Sequence, residues 1–158
     1  MTFDDFHEIT KRRYEYAMGI DTKDFDLLRS VFVDEVYMDF SSYSGQPGAT
    51  LKADDWVAGC RVLFTGLDAT QHVMTNPIVD VDGDRATQRM YMKAEHFLIN
   101  DQGNADFALG GYYDDTLIRT ETGWRIEAVT LTVLWNRGNR GIMDMAVARG
   151  QERLGLTG

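Results

Sequence analysis

Cysteine and long apolar runs are nearly missing from this sequence of 158 residues. Its one cysteine, Cys60, allows no disulfide within the chain and no cluster of cysteines around a metal. No apolar run approaches the ~20 residues of a transmembrane helix, so we expect no membrane association. The first residues are acidic and lack the apolar segment of a secretory signal, which leads us to expect a cytoplasmic protein.

Basic residues are also few: 16 Lys and Arg stand against 25 Asp and Glu, a net charge of -9. Such a chain would repel phosphates, so we expect no nucleic-acid partner. We interpret the run Lys11-Arg12-Arg13 as the solvent-exposed face of a helix. The length and the ordinary share of hydrophobic residues, 44%, predict a single domain over residues 1–158 with room for one small-molecule pocket.

The chain divides into a helical front part and a strand-rich back part. Capping residues predict a helix that begins near Thr2 and a second that begins near Asp24. A strand over residues 36–40, a loop over residues 41–50 and a third helix that ends near Gly66 complete the front part. Short polar turns typical of hairpins then join four predicted strands, at residues 72–81, 85–99, 105–120 and 124–135.

Helices followed by an antiparallel set of strands predict an α+β domain rather than a parallel α/β sheet. The expected order is helix, helix, strand, helix and four strands. Long strands should curl into an antiparallel or mixed, cone-shaped sheet around the first helix and leave a cavity for a small molecule. The core should span residues 6–136, and a weakly helical tail, residues 138–158, should help to close the cavity. Gly110-Gly111, in mid-strand, predicts a bulge or a bend in the curled sheet.

Two of the three histidines lie where they could face this cavity. His96 alternates in phase with the methionines of its strand, so we expect it on the concave face. His72 opens the preceding strand, whereas His7 lies on the first helix and should be exposed. From spacing alone, His72 could equally be a hydrogen-bonded structural residue, and Asp21 could simply cap a turn. A carboxylate bonded to one imidazole nitrogen would instead leave the other nitrogen free to act as a base.

Three local patterns resemble the SnoaL-like family of the nuclear transport factor two-like superfamily: Tyr16-x4-Asp21, His72-x2-Thr75-Asn76 and Gly123-Trp124-Arg125-Ile126. The resemblance spans about residues 6–136. It implies a lyase that needs no metal or other cofactor, a dehydratase or a related proton-abstracting enzyme acting on a small cyclic or aromatic substrate. An isomerase, a polyketide-cyclase-like enzyme and a non-catalytic module that binds small ligands remain alternatives.

The resemblance also implies roles for individual residues. Asp21 would orient His72, His72 would be the base, and Tyr16 would donate a hydrogen bond. Dehydrochlorinase and dehydratase members carry an arginine in the final strand where this chain has Val129, so either His96 polarises the substrate instead or the reaction differs. The substrate-binding residues implied are Tyr37, Leu63, Phe64, Leu67, His96, Leu109, Tyr113 and Val129.

The last predicted strand is apolar on both faces. We expect one face to carry Val129, Leu131, Val133 and Trp135, and the other to carry Ile126 and Leu134. Strands of this kind are usually covered on both sides. We therefore expect a homo-oligomer, and the resemblance favours a trimer over a dimer.

Overall fold

The computed structural model describes residues 1–157. Its helices are α1 (Phe3–Asp21), α2 (Phe25–Ser30), α3 (Ser41–Ser44), α4 (Ala53–Gly66) and α5 (Ile142–Arg153). Its strands are β1 (Phe32–Asp39), β2 (Ala49–Lys52), β3 (Ala69–Asp82), β4 (Arg85–Phe97), β5 (Asp106–Thr120) and β6 (Gly123–Gly138). The expected α+β class is confirmed.

The strands form one mixed sheet in the order β2-β1-β6-β5-β4-β3. Every neighbouring pair is antiparallel except β1 and β6, which run parallel. The long strands β3 to β6 curl around α1, which packs against β3, β4 and β6. The concave side of the sheet, covered by α1, α2 and α4, holds the hydrophobic core.

Helix α3 and strand β2 correct the prediction of a single loop over residues 41–50. Helix α3 is a single turn that ends at Gly45, whose φ of 74° is left-handed. Strand β2 is a four-residue edge strand that pairs only with β1 and is exposed along its length, so no apolar alternation marks it in the sequence. Strands β1 and β3 also begin earlier than predicted, at Phe32 and Ala69.

The sheet is irregular at Gly110-Gly111, where a bulge or bend was expected: Gly110 pairs with Trp135 and Gly111 with Val133, so the extra residue lies opposite the glycines, in β6. A Cβ atom on Gly110 would lie 2.3 Å from the ring of Trp135, and one on Gly111 would lie 1.9 Å from the carbonyl oxygen of Thr132. Only glycine fits such an approach of neighbouring backbone and ring. A second shift, after Thr116, disrupts the alternation of inward and outward side chains at this level.

Ile126, which pairs with β5 next to this second shift, is fully buried, so the prediction that it faces outward is wrong. The extra residue at this shift is Glu127 of β6, so the strict alternation assumed for β6 is broken between Ile126 and Ala128.

The expected helical tail is present as α5, which packs against α4. A Cβ atom on Gly66 would meet the carbonyl oxygen of Ala146 at 1.7 Å, and one on Gly150 would meet that of Val62 at 1.8 Å. The two helices therefore touch backbone to backbone, which brings Met143 of α5 to the wall of the central cavity. Within residues 1–157, no helix is long and apolar enough to cross a membrane.

Candidate active site

A cavity of about 270 Å³ opens between α1, α4, α5 and the concave face of the sheet. Its lining is largely aromatic and aliphatic. Seven of the residues predicted for the site contribute to it: Tyr16, Leu63, Phe64, His72, His96, Leu109 and Tyr113. Arginine, lysine, aspartate and glutamate are absent from the lining formed by residues 1–157. A bound ligand can therefore interact electrostatically only with the two histidines or with charged residues behind the wall.

Asp21 and His72 are brought together by the docking of the end of α1 on the sheet. Strand β3 is an edge strand, so its outward-facing backbone groups are free to bind a side chain. Asp21, the last residue of α1, accepts the backbone N–H of His72 through Oδ2 at 2.7 Å. Its Oδ1 atom accepts the hydroxyl of Thr70 at 2.9 Å and contacts Nδ1 of His72 at 2.7 Å.

These bonds determine the protonation of the pair. Burial raises the pKa of Asp21, but the hydrogen bonds from the side chain and backbone of His72 and from Thr70 outweigh it and bring that pKa below its ordinary value. An ionised carboxylate only accepts, so Nδ1 of His72 must carry the hydrogen. In the neutral ring, Nε2 is then unprotonated. The side chain of His72 is only 5% exposed and lines the cavity, so Nε2 is a sheltered acceptor.

His96 lies beside His72 on the next strand, with ring centroids 5.6 Å apart and ring planes nearly perpendicular. It is buried on the concave face, as predicted, and its Nδ1 lies 3.1 Å from the carbonyl oxygen of Phe107. Burial, together with the neighbouring imidazole of His72, lowers the pKa of His96 to about 4. The ring is therefore neutral at pH 7, with its hydrogen on Nδ1 and an unprotonated Nε2.

This state changes the role that His96 can take. A neutral imidazole whose one N–H is bonded to a backbone carbonyl has no donor left for a substrate carbonyl. His96 can accept a hydrogen bond from a ligand hydroxyl, but it does not replace an arginine as a polarising cation.

Tyr16 of α1 and Tyr113 of β5 form a second polar edge of the cavity, with ring centroids 5.8 Å apart. Both rings are almost fully buried. Burial is the largest influence on each hydroxyl and raises the pKa of both tyrosines above the ordinary value. Both hydroxyls are therefore protonated at neutral pH and able to donate.

Three predicted contact residues do not line the cavity. Tyr37 is 40% exposed, and a Cβ atom on Gly48 would lie 2.4 Å from its hydroxyl oxygen, so it packs on the outer side beside that loop. Leu67 is fully buried in the core just after α4. Val129 is buried on the concave side, but Leu131, two residues further along β6, is the residue that reaches the cavity.

Other lining residues were not predicted: Phe40, Tyr43, Trp56, Cys60, Met92, Ala94, Leu131 and Met143. Some had a signal in the sequence, since Trp56, Cys60 and Leu63 recur at helical spacing and Met92, Ala94 and His96 alternate on one strand face. Tyr43 and Met143 had none, because their position depends on the docking of α3 and α5.

Cys60 is an unreactive, buried part of this wall. Burial raises the pKa of its thiol to about 12, so no thiolate forms near neutrality. Among residues 1–157, His, Cys, Asp and Glu side chains form no group of three or more that could hold a metal ion.

The largest error of the sequence interpretation concerns Arg13, which was expected on a wet helix face. Its side chain is fully buried and pairs with the equally buried Asp115 of β5. The signal was present, because Ile9, Arg13, Tyr16 and Ile20 share one helical stripe.

Comparison with known proteins agrees with this architecture. Residues 1–130 match the model of the SnoaL-like domain family. The chain is 31% identical to an uncharacterised protein of Mycobacterium tuberculosis over 119 residues, which covers 75% of this chain and 78% of that protein. It is 24% identical to a dehydratase of Pestalotiopsis microspora over 134 residues, 80% of this chain and 84% of the relative. The chain therefore belongs to the SnoaL-like family.

Solved structures show the same fold. A protein from Kribbella flavida superposes with a TM-score of 0.83 and 34% identity, covering 90% of this chain and 97% of the other. A hexachlorocyclohexane dehydrochlorinase superposes with a TM-score of 0.67 and 17% identity over 85% and 88% of the two chains. At that identity the second likeness concerns the fold alone.

Proposed function

We propose that this protein is a cofactor-independent lyase, a dehydratase or a close relative, in which His72 removes a proton from a carbon atom of the substrate. The observation that carries the proposal is the pair of Asp21 and His72, joined by a contact of 2.7 Å, with the imidazole facing a largely apolar cavity. A related dehydratase and the shared fold of a dehydrochlorinase support the choice of reaction class.

In the proposed reaction, Nε2 of His72 takes a proton from a carbon next to an activating carbonyl. The C–H bond breaks, an N–H bond forms, and the electron pair moves toward the carbonyl oxygen. The electrons then return to form the C=C bond, the bond from the adjacent carbon to its hydroxyl group breaks, and water leaves with a proton donated within the site. The ionised Asp21 stabilises the imidazolium throughout.

Hydrogen-bond donors for the activated oxygen are available from Tyr16 and Tyr113, whose hydroxyls stay protonated. His96, neutral and unprotonated at Nε2, would accept a hydrogen bond from a substrate hydroxyl. A general base placed in this way typically contributes about 10²–10⁴-fold to the rate.

The cavity limits the substrate. A volume of about 270 Å³ and a wall of aromatic rings suit one or two fused rings. Because no formally charged side chain of the described chain forms part of that wall, a carboxylate or phosphate on the buried part of the substrate would lack a partner. We therefore propose an uncharged cyclic substrate that bears a carbonyl and a hydroxyl.

An isomerase is the second candidate. The unprotonated Nε2 of His96 offers a second acceptor beside His72, and proton return to a different carbon would move a double bond without loss of water. Polyketide-cyclase chemistry needs a free aspartate in the cavity, whereas both oxygens of Asp21 are engaged by His72 and Thr70.

The test is a panel of uncharged cyclic β-hydroxy ketones, with the conjugated product followed by ultraviolet absorbance. We expect turnover by the native protein, a loss of about 10²–10⁴-fold in His72→Ala, and a large loss in Asp21→Asn. His7→Ala is the matched control, because His7 is exposed on α1 and should leave the rate unchanged. Native turnover in a folded His72→Ala protein would contradict the proposal.

A further inference from the structure

A buried ion pair lies directly behind the tyrosine edge of the cavity. Nε of Arg13 donates to Oδ2 of Asp115 at 2.9 Å, and Nη2 donates to Oδ1. Nε2 of Gln88 donates to Oδ2 of the same carboxylate at 3.3 Å. Neither charged side chain has any exposure to solvent. Burying two charges is costly, and replacement of such pairs by apolar residues often does not destabilise a protein, so stability alone is a weak explanation for this pair.

The guanidinium group stacks on both cavity tyrosines. Its Cζ atom lies 3.8 Å from the ring centroid of Tyr113 and 4.4 Å from that of Tyr16. Nη1 is buried and makes no hydrogen bond within residues 1–157. The guanidinium group of Arg13 therefore lies against two aromatic faces, and the two tyrosines that carry them both line the cavity.

The sequence explains how this stack is built. Arg13 and Tyr16 are three residues apart and share a face of α1. Tyr113 and Asp115 are two residues apart and share the concave face of β5. The bond from Arg13 to Asp115 consequently connects the helix to the sheet at the level where the two tyrosines meet. Any shift of α1 along the sheet would break this bond and would at the same time move the ring of Tyr16 away from that of Tyr113.

The pair is neutral overall, but its positive end is the nearer one. Burial is the main influence on Tyr113 and raises its pKa; among the charges, Arg13 lowers that pKa by more than Asp115 raises it. Burial likewise dominates for Tyr16, and Arg13 acts in the lowering direction there too. At the hydroxyl of Tyr113 the ion pair as a whole thus favours negative charge, and at the hydroxyl of Tyr16 the guanidinium acts in the same direction.

We propose that Arg13, fixed by Asp115, is a positioning residue that holds Tyr16 and Tyr113 against the cavity and places a permanent positive charge behind their rings. Negative charge on a ligand oxygen that contacts these tyrosines is thereby stabilised. Arg13 of α1 thus supplies the positive charge that Val129 of β6 does not. The inference rests on the proposed function only in so far as the cavity binds a ligand oxygen.

The test uses 4-nitrophenol, a single ring whose neutral and ionised forms absorb at different wavelengths. Its apparent pKa in the complex is measured by titrating the bound probe. Asp115→Asn leaves the cation uncompensated and should lower this pKa by roughly half a unit to one unit. The double change Arg13→Met with Asp115→Leu removes the cation and should raise it by a similar amount. Arg13→Lys keeps the charge and should stay closer to the native value than the double variant does.

The double variant should remain folded, because it replaces both charges by apolar groups of similar volume. Circular dichroism and thermal unfolding verify this for each variant. His72, His96 and Cys60 also face the probe, and they are the same in all variants, so their effects cancel in the comparison.

A matched control lies on the exposed side of the same strands. Arg89 pairs with Asp114 at 2.6 Å and stacks on Tyr112 at 4.4 Å, but the pair is exposed and does not adjoin the central cavity. Arg89→Met with Asp114→Leu should leave the pKa of the bound probe unchanged. Shifts of the same sign in Asp115→Asn and in the buried double variant, or no shift beyond that of the control, would overturn the proposal.

Discussion

The neutral state of His96 makes a quantitative prediction about stability. The pKa of His96 is lowered from the ordinary 6.5 to about 4, first by burial and then by the neighbouring His72. The unfolded chain therefore takes up a proton on this residue before the folded protein does. The stability associated with the neutral ring is complete above pH 6.5 and is lost progressively as the pH falls toward 4.

The size of the effect follows from the same interval. One pKa unit corresponds to about 1.4 kcal/mol, so the native protein should lose roughly 2 kcal/mol of unfolding free energy between pH 7 and pH 5 through His96 alone. His96→Gln removes the titrating group and retains a donor for the carbonyl of Phe107. The pH dependence of its unfolding free energy should be flatter by that amount.

Urea unfolding, followed by circular dichroism at a series of pH values, measures the difference directly. The comparison uses only the slope of the unfolding free energy against pH, so a loss of stability in His96→Gln that is the same at every pH does not affect it. His7→Gln, at an exposed position, should leave the native slope unchanged. Parallel curves for the native protein and His96→Gln would contradict the lowered pKa of His96.

Two further predictions concern packing and assembly. Gly150→Ala should lower stability by about 1–3 kcal/mol, because its Cβ atom would lie 1.8 Å from a carbonyl oxygen of α4. Gly59→Ala, whose Cβ atom would meet open space, should be neutral or stabilising. Equal midpoints of thermal unfolding for the two variants would contradict this packing. Three large apolar side chains are exposed on the sheet: Leu134, Trp135 and Tyr91. Their exposure motivates the proposal of a homo-oligomer, with a trimer favoured over a dimer. Light scattering that returned the monomer mass of 17.9 kDa would contradict this proposal.

The periodicity of apolar residues along the sequence was sufficient to predict much of the fold and part of the candidate site. The inward position of His96 follows from alternation along β4, and residues that alternate with it could be assigned to the same wall. Asp21 and His72 were found by the resemblance rather than by spacing, since nothing in the sequence alone indicates that the end of α1 reaches the edge of β3. The contact depends on the docking of a helix end on a free strand edge.

Other features depend on tertiary structure that periodicity does not capture. Arg13 was assigned to solvent because its neighbours are basic, although its own helical stripe is apolar; only the inward-facing Asp115 makes burial of the arginine acceptable. Tyr37 and Val129 were placed by correspondence with relatives. The exposed β2 edge and the two bulges in β6 show why such a correspondence fails for individual side chains.

The most direct test of the central claim is exchange of a carbon-bound proton, because it needs base catalysis but no leaving group. The native protein is incubated with 1-tetralone in deuterated buffer, and loss of the proton signal next to the carbonyl is followed by nuclear magnetic resonance. We predict exchange above the buffer rate with the native protein and with His7→Ala, and none above buffer with His72→Ala. Equal exchange with the native protein and a folded His72→Ala variant would contradict the assignment of His72 as the base.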